Sequence, residues 1–158
     1  MRNLLTLHTL TSTLTKLRRA RKKVVFTNGV FDILHRGHVE YLRKARSYGD
    51  VLIVGLNSDS SVFRLKGAGR PVQPQMDRAA ILLSLEAVDY VFIFGDDTPE
   101  KLIHQVRPDV LVKGADYTVA NIVGSDFVRT YGGKIRRIRL TPGRSTTDVI
   151  KRLRQPKG

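Results

Sequence analysis

Four short runs of nearly continuous β-branched and aromatic residues recur along the chain, each followed by a stretch with helical spacing. "KVVFTN" (23–28), "DVLIVGLN" (50–57), "VDYVFIF" (88–94) and "DVLVKG" (109–114) are too uniformly apolar to present a wet face, so they read as strands covered on both sides. A fifth run, "KIRRIRL" (134–140), is more polar. Residues 38–48 and 75–86 have helical apolar spacing, and "DTPEKLIHQV" predicts a helix with Thr98 at its N-cap and Pro99 at its first position. Residues 121–131 form a weaker helical pattern, and "STTDVIKRLR" closes the chain as a helix. Alternation of this kind dictates an α/β fold, a doubly wound parallel sheet of about five strands with right-handed crossovers.

The 158 residues, 41% apolar, suffice for one domain with its own core, expected over residues 23–153. Residues 1–22 form a basic arm or helix before it, and residues 154–158 a basic tail. The net charge of +14 is terminal: residues 1–23 carry seven Lys/Arg and no acid, residues 134–158 nine and one, and the stretch between twelve against thirteen. A near-neutral centre with only 7% aromatics disfavours a nucleic-acid-binding role. No cysteine is present, which excludes disulfides and thiolate metal sites. There is no run of about 20 apolar residues and no signal-peptide pattern, so no membrane attachment and a cytoplasmic location are expected.

In a parallel sheet, ligands sit beyond the carboxyl ends of the strands. That edge collects Asn28, Gly29 and the turn "HRGH" after the first run, Asn57, Ser58 and Asp59 after the second, Lys113, Gly114 and Asp116 after the fourth, and "TPGRSTT" after the fifth. Neither a dinucleotide fingerprint nor a P-loop is present. His35 and His38, three apart at a helix start, can each aim an N–H at an anion to which the first-turn amides also point, with Gly37 leaving room for its approach. A phosphate chain suits this arrangement better than a metal, because His-x-x-His without a third ligand is not a zinc pattern. A second helix start, with Arg144, Ser145, Thr146 and Thr147, would complete a polyphosphate cradle.

"GVFDILHRGH" with the downstream "GRSTT" resembles the cytidylyltransferase-like nucleotidyltransferases, whose pattern is G-x-F-D-x-x-H-x-G-H followed by a serine/threonine motif at the last helix. Within that group, "VGLNSDSSVFRLKGAGRP", "VDYVFIFGDDTPEKLI", "RPDVLVKGADY" and "STTDVI" resemble the D-glycero-β-D-manno-heptose 1-phosphate adenylyltransferases of ADP-heptose and lipopolysaccharide-core synthesis, over about residues 20–153. Val30 stands where close relatives usually carry cysteine. The resemblance implies a Rossmann-like sheet and transfer of AMP from ATP, with Mg²⁺, to a sugar 1-phosphate, releasing pyrophosphate. Many such relatives carry the domain fused to a sugar kinase domain, which is not present here, so separate heptose kinase and phosphatase proteins are expected, as is a homo-oligomer.

On that resemblance His35, His38 and Lys66 are the catalytic residues. Thr27, Asn28, Gly29, Phe31 and Gly37 line the nucleotide site together with Lys113, Asp116, Arg144, Ser145, Thr146 and Thr147. Asp32, Asn57, Asp59 and Arg78 are candidates for the acceptor, each with an alternative as a turn cap, a strand-end residue or an exposed side chain. No protein metal ligand is assigned. The competing reading is a cytidylyltransferase using CTP with glycerol 3-phosphate or another small phosphate; those relatives carry R-T-x-G-I before the serine/threonine motif, where this chain has "LTPGR".

Overall fold

The computed structural model describes residues 3–139. Its strands are β1 (Leu4–Leu5), β2 (Val24–Gly29), β3 (Val51–Asn57), β4 (Tyr90–Phe94), β5 (Val110–Gly114) and β6 (Lys134–Ile138), and all pair in parallel in the order β1-β4-β3-β2-β5-β6. The helices are α1 (Leu7–Arg19), α2 (Arg36–Arg46), α3 (Asp59–Lys66), α4 (Gln75–Leu83), α5 (Glu100–Val106) and α6 (Ser125–Thr130). The five expected strands are present, and the sheet is the expected Rossmann-like one.

Because successive strand residues face opposite ways, the sheet builds two cores. On one face Val25, Leu52, Val54 and Val112 pack with Tyr41, Leu42 and Ala45 of α2 and with Ala79 and Leu82 of α4. On the other, Phe26, Ile53, Phe92 and Leu111 pack with α1 and with Leu102, Ile103 and Val106 of α5. Every residue of β3 is buried, the apolar run Val51–Leu56 and the polar Asn57 that ends it.

Three local features differ from the sequence reading. Helix α3 lacks a strong apolar stripe and is absent from the periodicity; Ser58 starts it by accepting from the Ser61 N–H, so a cap rather than a pattern defines it. The α5 helix starts at Glu100 with Pro99, not Thr98, at the cap position, and no side chain caps it. Residues from the basic arm enter the fold: β1 adds an edge strand to β4, and α1 buries Leu10 and Leu14 and donates from Arg18 to the Val106 carbonyl. Among the described residues, no helix is long and apolar enough to cross a membrane.

The burial of α1 makes a measurable distinction. Leu10→Ala and Leu14→Ala should each lower unfolding free energy by about 2–5 kcal/mol, as buried leucines do. Leu7→Ala, at a residue 63% exposed, should change it by less than about 0.5 kcal/mol. Urea denaturation reads this directly; three equal, small effects would mean that α1 is an appendage.

Candidate active site

The chain runs β2 to β3 to β4 on one side, then returns to lay β5 against the other edge of β2. This reversal creates the crevice where such sheets bind ligands. β2 stays paired with β3 as far as Gly29, but with β5 only at Val25 and Phe26. Beyond Phe26 the two strands part, and a cleft of about 550 Å³ opens over their carboxyl ends.

Asn28, Gly29, Phe31, Asp32 and His38 line its floor. Asn57 and Lys66 stand on the β3 side, Lys113 and Asp116 on the β5 side. Thr27, His35, Gly37, Asp59 and Arg78 do not line it, and Arg144, Ser145, Thr146 and Thr147 lie outside the described residues.

His35 is the N-cap of α2 and His38 lies in its first turn; their rings stack at 3.8 Å with an interplanar angle of 21°. Phe31, in a left-handed conformation at φ 44°, meets the edge of His38 at 5.3 Å. Gly29 is required beneath it, since a Cβ there would come within 2.9 Å of the Phe31 ring. No side chain caps α2 and no acid sits in its first turn, so the helix start remains available to an anion. Burial, with the His35 ring beside it, pushes His38 down to about 4. His38 is therefore a neutral imidazole at pH 7, a hydrogen-bond donor without a net charge.

Lys113 reaches across the parted strands and donates to Asn28 Oδ1 at 2.9 Å and to its carbonyl at 3.3 Å. Burial draws its ammonium down to about 8, with Asp116 acting in the opposite direction. Thr27 is fully buried and its hydroxyl pairs at 2.8 Å with that of Tyr41, whose ring lines the cleft.

The four acceptor candidates are committed to the scaffold. Asp32 accepts from the Val72 and Gln73 N–H groups and from Arg70 Nε at 2.6 Å. Burial by itself would raise its carboxyl, but the bonds from Gln73, Val72 and Arg70 outweigh that and hold it below the usual carboxylate range. The Arg78 side chain, read as reaching toward substrate, is fully buried; it donates to the Val30 and Gln73 carbonyls and to Asp59 Oδ1 at 2.7 Å. Asp59 is thereby turned toward Arg78, and Asn57 donates to Ser61. Only Asp32 and Asn57 of the four also line the cleft.

Sequence reasoning missed Tyr41, Arg70 and Tyr117, all in the cleft wall. Tyr41 was hidden in the apolar stripe of α2. Arg70 carried one signal, the "GAGRP" turn with its two glycines.

The pH behaviour follows from these environments. For His38 the folded value lies below the ordinary 6.5, so the unfolded chain binds more protons and stability falls as pH drops from about 6.5 to about 4. His38→Gln should flatten that window in equilibrium unfolding. For Asp32 the contribution is present above the ordinary 3.8 and is lost as pH falls through its lower folded value. Asp32→Asn should thus be less stable than the parent at pH 7, with the difference shrinking in strong acid.

Comparison with known proteins agrees with this geometry. A family model described as cytidylyltransferase-like matches residues 26–152. The bifunctional protein HldE of Syntrophotalea carbinolica is 56% identical over 136 residues, covering 86% of this chain and 28% of that protein. HldE of Pseudomonas paraeruginosa is 57% identical over 134 residues, covering 85% and 28%. The chain thus spans less than a third of the length of these relatives. Among solved structures, the lipopolysaccharide core biosynthesis protein from Thermoplasma volcanium is 28% identical at a TM-score of 0.60, covering 76% of this chain and 97% of that one. Pantoate-β-alanine ligase from Francisella tularensis, 18% identical at a TM-score of 0.58 over 92% of this chain and 78% of its own, shares the fold alone. With its paired histidines at the start of α2, over the switch point of a parallel sheet, the chain belongs to the cytidylyltransferase-like family of nucleotidyltransferases.

Proposed function

We propose that this protein transfers AMP from ATP to D-glycero-β-D-manno-heptose 1-phosphate, giving ADP-heptose and pyrophosphate for the lipopolysaccharide core. The observation that carries the reading is the stacked His35–His38 pair at an uncapped helix start, with lysines on both sides of one cleft. The identity to HldE proteins, and the likeness to a lipopolysaccharide core biosynthesis protein from Thermoplasma volcanium, support the choice of acceptor.

The chemistry needs no nucleophile from the protein. An oxygen of the sugar phosphate attacks the α-phosphorus of ATP in line, the bond from that phosphorus to the bridging oxygen breaks, and pyrophosphate leaves with the electron pair. Catalysis is then alignment and charge stabilisation. His38, neutral and held by Phe31 and His35, donates to phosphate oxygens as negative charge grows on them. His35 assists from the helix cap. Lys66 neutralises phosphate charge on the β3 side, and Lys113 and Asp116 hold the nucleoside on the β5 side. Ser145, Thr146, Thr147 and Arg144 would hold the leaving pyrophosphate. Mg²⁺, when bound with ATP, would offset charge on the phosphates; no residue of the chain is assigned as its ligand.

Pyrophosphate release measured with ATP or CTP against a panel of sugar 1-phosphates and glycerol 3-phosphate tests the reading. ATP with the manno-heptose 1-phosphate should give the highest kcat/KM; faster turnover with CTP would replace it with the cytidylyltransferase alternative. His35→Ala and His38→Ala should each lower kcat about a hundred- to a thousand-fold with a smaller change in ATP affinity. Near-normal turnover with a lower melting temperature would instead make the histidines core residues.

A further inference from the structure

Arg70 has no part in the chemistry proposed for the histidines and lysines, yet it lines the same cleft. It follows a turn in which Gly67 and Gly69 take φ of 83° and 80°, and a Cβ at either would meet nothing within 4 Å. The turn is thus an open crossing that delivers the arginine to Asp32. Both oxygens of Asp32 already accept backbone N–H groups from Val72 and Gln73, so the carboxylate meets the guanidinium through Nε alone rather than through a two-pronged contact. The Asp32 side chain is fully buried and that of Arg70 is 19% exposed.

A guanidinium is planar and carries five N–H donors. Fixing Nε on a buried carboxylate fixes the plane, and the four N–H groups on Nη1 and Nη2 have no acceptor among the described residues. Lys66, four residues earlier, lines the same wall and makes no ion pair among the described residues. Two cations with unspent donors, one pre-oriented, match a phosphate monoester dianion. Asp32, Asp97 and Asp116 line the cleft as well, but the Asp32 carboxylate is already spent on Arg70 and two backbone N–H groups.

We propose that Arg70, oriented by Asp32, is the two-pronged ligand of the acceptor's phosphate, with Lys66 as its second positive charge. This rests on the sugar 1-phosphate reading. Arg70→Lys keeps a cation for Asp32 and removes the two forward nitrogens, which separates the clamp from the scaffold; Arg70→Gln removes the charge as well.

With manno-heptose 1-phosphate, both variants should raise the acceptor KM about ten- to a hundredfold and leave the ATP KM within about twofold. An unchanged acceptor KM in both variants would overturn the proposal, and so would an ATP KM rising as far as the acceptor KM. Calorimetric titration of inorganic phosphate, with a non-hydrolysable ATP analogue saturating the nucleotide side, reads the clamp without turnover. Binding by the parent that is lost in Arg70→Lys supports it, and equal binding by both refutes it. If the parent turns over no heptose phosphate, the acceptor identity fails while this titration still decides the clamp.

Discussion

Strand β2 is held in parallel on both edges, but not equally: its ladder with β3 runs to Gly29, whereas its ladder with β5 stops at Phe26. The site depends on that difference. Where β5 departs, backbone and side chain of Asn28 lose a strand neighbour and Lys113 takes the place with its ammonium. The same parting lets the chain after Gly29 drop into a left-handed residue at Phe31, and that ring braces His38. A continuous ladder would have closed the crevice and left α2 starting against a covered edge.

Charge is divided between the two ends of the sheet. At the amino end, Asp50, Asp89 and Asp109 each precede a strand; Asp89 and Asp109 accept an N–H from the neighbouring strand, at Leu52 and Val24, and Asp50 accepts one from Lys23, just before β2. Those acids serve backbone groups that would otherwise be unpaired. At the carboxyl end, Lys66, Arg70 and Lys113 surround the cleft, and the histidine between them is neutral. Three cations therefore share the cleft with Asp32, Asp97 and Asp116, while the aspartates at the amino end serve the backbone.

Buried polar groups join the cleft's two loops to the helices behind them. Arg78 ties the loop after β2, the start of α3 and the segment at Gln73 into one unit. Asp32 ties the segment at Val72 and Gln73 to the turn before His35. An arginine with no exposed side chain persists only when its donors are satisfied, and here three partners do so. The consequence for function is stiffness: the wall that carries Lys66 and Arg70 is anchored to the turn that carries the histidines.

The sequence by itself determined the alternation of strands and helices, the edge on which the cleft opens, and the histidine turn, because unbroken apolar runs, N-terminal helix signals and H-x-G-H are local patterns whose physics needs no partner. It could not show that Leu10 and Leu14 join the core, since their helix reads as a basic arm until α5 is seen beneath it. Nor could it show which of Asp32, Arg70 and Arg78 face the cleft: an aspartate and two arginines near a turn look alike in sequence. Tertiary structure decided that Arg78 is sealed inside while Arg70 keeps donors to spare. The reason is that burial and hydrogen-bond saturation belong to groups brought together from distant segments, and only the folded chain fixes how many acceptors each donor meets.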